Sequence, residues 1–179
     1  KDFGSIYATT APIIRFTLEI LADESIPGAE WLLECYAAAL QNKVYTGGGR
    51  SYSIQQVRNY LAAYDAVEAG LSLYVARLNA SQPAIRSMAA QVLGELRASA
   101  AVVLPALTSR YRVETEQEVK VALIRAVKRC LSELDYSGTA LHKEYAPFFA
   151  AIVESHSPLD VRYAAAVASI EVSRSLGFV

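Results

Sequence analysis

Apolar residues return every three or four positions along nearly the whole chain, and nowhere do they alternate one by one long enough to mark a strand. That period predicts helices over about 9–22, 28–42, 53–68, 70–79, 82–97, 100–112, 115–134, 143–155 and 158–176. The breaks between them carry residue types that suit breaks. Asp23-Glu24-Ser25-Ile26-Pro27-Gly28 separates the first two segments. Ser81-Gln82-Pro83 and Ser157-Pro158 set a capping residue just ahead of a proline suited to the first helical position. Helices joined by short polar connections, with no strands, predict an all-α fold.

A second, longer period overlies the first. Pro105 in "VLPAL" and Pro147 in "YAPFFAAI" each stand fourteen residues before an aliphatic–basic pair, Val119-Lys120 and Val161-Arg162. A third pair, Ile85-Arg86, follows Leu71 by the same fourteen residues, in a helix with a similar apolar tail but no proline. The pairs lie 34 and 42 residues apart, the length of a helix–turn–helix unit. Each unit reads as a first helix, a polar turn, and a second helix opened by the pair. In "PAIRSMAAQVLGEL" (83–96), Ile85, Ala89, Val92 and Leu96 fall within one narrow arc and predict the buried stripe. The small residues among them let stacked helices approach closely. Arg86, Lys120 and Arg162 sit beside that stripe, where a packed stem carries the charge to a neighbouring turn or to solvent.

The aliphatic-Arg-x-x-Ala-Ala-x-x-Leu-Gly run of "QPAIRSMAAQVLGEL" resembles the second helix of a HEAT repeat. Residues 64–111 are similar to stand-alone bacterial HEAT-repeat proteins, and "SIYATTAPIIRFTLEILAD" (5–23) resembles the opening repeat of such proteins. The resemblance implies a short right-handed α-solenoid of stacked antiparallel helix pairs. It implies about four repeats in a single domain over 1–179, at roughly 9–42, 64–97, 99–134 and 143–176, with an irregular insertion at 43–63. The first repeat departs from the pattern, offering "AEWLLECYAAAL" (29–40) in place of an aliphatic–basic pair.

Composition narrows the function. The chain has 179 residues, 53% of them hydrophobic, so it is not a disordered segment. A net charge of −1 argues against a general nucleic-acid binder, which carries a strongly basic face. Apolar runs such as "AAVVLPAL" (100–107) are too short to span a bilayer, and no signal-peptide pattern opens the chain. The chain starts at Lys1 rather than Met, which suggests a piece trimmed or processed from something longer. Its two cysteines, Cys35 and Cys130, lie in apolar helical runs and are expected as buried, reduced thiols, consistent with the cytoplasm.

Candidate chemistry is thin. "TGGGRS" (46–51) lacks the Lys-Ser ending and preceding strand of a phosphate loop, and reads as a connector. His142 and His156 have no ligand or nucleophile at useful spacing, so neither a metal nor a cofactor is expected. Glu114, Glu116 and Glu118 precede or open a long helix, where they complement its dipole. Certain DNA glycosylases share the HEAT class, and Asp65 with Tyr60, Tyr64 and Arg58 is the nearest imitation of their site. Phycobilin lyases also belong to the class, but nothing singles out a bilin site.

The outward sides of the second helices are more informative, because in such arrays they line the concave face. On 82–97 that side shows Ser87, Ala90, Gln91 and Gly94. On 115–134 it shows Val121, Arg125, Lys128 and Ser132, and on 158–176 Tyr163, Val167, Ile170 and Arg174. The last is apolar for a solvent face. It is either covered by the chain end, a further segment or a second copy, or it is a binding surface. Six of the eleven tyrosines fall between Tyr36 and Tyr74, a residue type favoured in interfaces. The expectation is a non-enzymatic adaptor that binds another protein through Ser87, Gln91, Arg125, Lys128, Tyr163, Val167 and Ile170, with homo-oligomerisation through the C-terminal helix as a further option. Compact bacterial HEAT-type proteins also include immunity proteins that neutralise toxins, a role the resemblance leaves open.

Overall fold

The computed structural model describes residues 6–23, 26–41, 53–132 and 139–175. Among these it is all helical, with no strand. The helices are α1 (Thr10–Ala22), α2 (Trp31–Gln41), α3 (Ile54–Glu68), α4 (Leu71–Arg77), α5 (Pro83–Glu95), α6 (Ala100–Val113), α7 (Gln117–Ser132), α8 (Thr139–Glu154) and α9 (Leu159–Ser175), with a 3₁₀ turn at Arg97–Ser99. Most boundaries fall within two residues of those read from periodicity. Two differ by more. Residues 28–30 form a turn ahead of α2, led by Gly28 at a φ of 76° that other residues avoid, and α8 starts four residues earlier than expected. The "TGGGRS" connector lies outside the described residues, whereas the rest of the expected insertion, from Ile54 onward, is the first half of α3.

The local signals act as physical chemistry requires. Ser53 closes a capping box on α3: its hydroxyl accepts from the Gln56 N–H, and its own N–H donates to Gln56 Oε1. Pro83 stands at the start of α5, where its missing N–H costs nothing. Pro105 and Pro147 lie inside α6 and α8.

The chain divides within α4 into two compact units, residues 1–74 and 75–179. In the first, α1 packs chiefly on α3, and α2 lies against both. Ile14, Leu21, Leu33, Leu40, Val67 and Tyr74 form its core. The Tyr36 hydroxyl is 2.7 Å from that of Thr17, and its ring tilts against Tyr74 at 6.2 Å.

In the second unit, α5 packs on α7 and α7 on α9, forming one layer; α6 rests on α7, and α8 on α9. Ala89, Val92 and Leu96 are buried as the predicted stripe requires, while Ile85 is half-buried. Close approach of α5 and α7 depends on Gly94. A Cβ there would lie 2.9 Å from Ala126 Cα and 3.1 Å from its carbonyl oxygen. Gly94 and Ala90, expected on the outward side, are therefore interior: the side of α5 that they occupy is where its neighbours press.

Candidate functional site

The three aliphatic–basic pairs open α5, α7 and α9, and their basic members are structural. Arg86 is buried. Its Nη1 donates to the carbonyls of Ala80 and Ser81 at 3.0 and 2.9 Å, holding the preceding turn. Its Nε and Nη2 grip both carboxylate oxygens of Glu114, at 2.8 and 2.9 Å, in a two-point pair. Arg110 adds a second guanidinium to Glu114 from one helical turn away. The N–H groups of Thr115 and Glu116 complete the shell at 2.9 and 3.0 Å. Burial alone would raise the Glu114 pKa. The hydrogen bonds from Arg86, the Glu116 N–H, Arg110 and the Thr115 N–H outweigh it and hold the carboxyl at about 2. Lys120 lies over the Tyr111 ring at 5.9 Å, and Arg162 Nε donates to the Val153 carbonyl at 2.8 Å. All three cations thus reach back to the helix or turn before them.

From its place ahead of a helix, Glu114 is expected only to complement a dipole. Its chief partner is 28 residues away, and no local pattern announces the pair. Glu95 is a second such case: it is buried at the end of α5 and ion-paired with Arg129 and Arg97.

With those groups committed to the fold, the open side of the α5–α7–α9 layer holds the expected interaction residues. Gln91, Arg125, Tyr163 and Ile170 are exposed, and Ser87, Lys128 and Val167 are half-buried. Lys128 is not an isolated charge, since its Nζ meets Glu171 Oε2 at 2.7 Å and ties α7 to α9. The face therefore grades from polar on α5 and α7 to apolar on α9.

A cleft of about 690 Å³ opens between α6 and α8. Pro105, Tyr111, Pro147 and Phe148 supply apolar walls, with Arg112 and Glu144 also lining it. Tyr111 and Phe148 meet edge to face at 5.2 Å. The hydroxyls of Thr108 and Ser155, which also line it, hydrogen-bond within the protein. The cleft is mainly apolar, with two charged side chains, Arg112 and Glu144, in its wall.

The remaining candidates are scattered. Asp65 is exposed on α3, with Tyr60 and Tyr64 half-buried on the same helix. His142 is buried in α8, and His156 is exposed in the turn that follows it. Among the described residues no group of three His, Cys, Asp or Glu side chains is placed to hold a metal ion. Cys130 is buried, and burial pushes its thiol up to about 12. Cys35, expected in the interior, is exposed, because α2 turns Leu32, Leu33, Tyr36, Ala37 and Leu40 inward instead. Partial burial and the neighbouring Glu34 raise its thiol too. No single described helix is long and apolar enough to cross a membrane. Set against protein-family models, curated proteins and solved structures, the chain matches none of them.

Proposed function

We propose that this chain is a non-enzymatic protein-binding module. In this reading it is a short right-handed α-solenoid of about four HEAT-like helix pairs that holds another protein on the open face of its second helices. One observation carries the reading. The buried charges behind α5 and α7 are engaged in holding turns and helices, while the open face presents Gln91, Arg125, Tyr163 and Ile170 to solvent. A surface of that kind, with aromatic and arginine anchors and a polar surround, suits protein contacts better than chemistry.

The test is a quantitative binding measurement with a protein recovered stoichiometrically from native lysate, using wild type and Arg125→Glu. Arg125 is the suitable site for charge reversal because it is exposed. Reversal at Lys128 would also break its bridge to Glu171. Affinity reduced tenfold or more by Arg125→Glu, with an unchanged melting curve, supports the reading. Equal affinity of the two forms refutes this placement of the surface.

A further inference from the structure

The uncovered apolar side chains of α9 lie along one line. Leu159, Tyr163, Val167 and Ile170 share a narrow arc of the helix. Leu159, Tyr163 and Ile170 are 79%, 69% and 52% exposed. The opposite arc, with Val161, Ala165, Ala168 and Val172, is buried. The stripe is bracketed by opposite exposed charges, Asp160 in the first turn and Arg174 in the last. Each stands seven residues from Val167.

A helix with that pattern is its own complement when turned end over end. Set two α9 helices antiparallel about a twofold axis at Val167. Asp160 of each copy then lies across from Arg174 of the other. Tyr163 falls opposite Glu171 and beside Ile170 of the second copy, and the two Val167 side chains meet at the axis. Such a contact is isologous, so every favourable pair away from the axis occurs twice.

The surface around Asp160 suits the arriving arginine. Gln117, Pro158, Leu159, Asp160 and Tyr163 line an open hollow there. An arginine stem can lie on such apolar surface while its guanidinium meets a carboxylate and an aromatic ring. In the antiparallel register, this hollow is where Arg174 of the second copy lands.

We infer that α9 is a twofold self-association surface, and that a second copy of this chain is the partner of the C-terminal end of the face described above. The inference rests on the reading of that face as a protein-binding one. A 17-residue helix is about 25 Å long. One helix-on-helix contact of that length buries well under the ~1,200 Å² of a stable dimer. The association is therefore weak and concentration-dependent.

The experiment is sedimentation velocity over a concentration series reaching about 1 mM, where even a weak dimer is populated. It uses wild type, Asp160→Arg, Arg174→Asp, an equimolar mixture of the two variants, and the double variant. Circular dichroism confirms that each is folded. Wild type is expected to shift from monomer toward dimer. Each single variant should associate about tenfold more weakly or worse, because one substitution turns both symmetry-related attractions into repulsions. The mixture should regain the dimer, since each variant then supplies the charge that the other needs, and so should the double variant. The mixture separates lost complementarity from a local fold defect.

A wild type that stays monomeric throughout overturns the inference, as does a dimer indifferent to the single variants or a mixture that fails to recover. None of these results touches the binding of a foreign protein. That reading stands or falls with Arg125, which lies on α7, off the stripe.

Discussion

Replacing Glu114 by glutamine removes one negative charge and almost no volume from a side chain held by Arg86, Arg110 and two backbone N–H groups. Arg86 keeps its bonds to the Ala80 and Ser81 carbonyls but is left as a buried cation without its counter-ion. Arg110 loses the same partner. The folded-state pKa of about 2, against an ordinary 4.5, measures how strongly the fold prefers the ionised form. That difference corresponds to about 3 kcal/mol, which agrees with the ~3–5 kcal/mol cost of breaking a buried pair from one side. For a chain of this size, a loss of about 3 kcal/mol lowers the melting temperature by roughly 6–12 °C.

The dependence on pH is sharper than the single number. Because the folded pKa is depressed, the stabilisation is complete above the unfolded value near 4.5. It drains away as pH falls toward 2. By pH 3 about 2 kcal/mol of it should be gone. Urea unfolding of wild type and Glu114→Gln, followed by circular dichroism at pH 7 and pH 3, reads the difference directly. The gap between the two proteins should narrow by more than half. A gap under ~1 kcal/mol at pH 7, or one that stays constant down to pH 3, would refute the account of Glu114 as the charged centre of this network.

Two further outcomes follow from packing and exposure. Gly94→Ala should destabilise by about 1–2 kcal/mol although alanine is the better helix former, because the new methyl meets the Ala126 backbone at 2.9 Å; a neutral or stabilising result in thermal melts would mean that α5 and α7 separate freely. Disulfide-exchange labelling at pH 8 should modify Cys35 slowly in the folded protein and leave Cys130 untouched until denaturant is added, since the first thiol is exposed and raised while the second is buried and pushed up to about 12; two equally fast thiols would contradict the burial of Cys130.

Much of the fold was legible in the chain because helix formation is local. The 3.6-residue period, the Ser53 box and Pro83 act within a few residues, so nearly every helix falls where periodicity puts it. The buried arc of α5 was equally readable, since an apolar stripe must turn inward somewhere. The role of Arg86 as a packed cation reaching a neighbouring turn also follows from its place beside that stripe, whereas half-buried Lys120 and exposed Arg162 reach a ring and a carbonyl of the preceding helix instead.

What covers an arc is a different matter. The period of a helix says which side is buried and is silent on the neighbour that buries it. That α1 packs chiefly on α3 is decided by contacts between residues far apart in the chain. So is the burial of Ala90 and Gly94, and the exposure of Cys35 on a mostly apolar helix. Glu114 shows the same limit at one side chain. Before a helix it is an ordinary dipole-complementing acid. Only when the chain folds does Arg86 come within 2.8 Å, and the low-dielectric interior then turns a routine glutamate into the anchor between two turns. The candidate surface divides along the same line. Its residue types and helical faces are properties of the sequence, whereas the Lys128–Glu171 bridge and the hollow beside Asp160 exist only because tertiary packing sets α9 against α7.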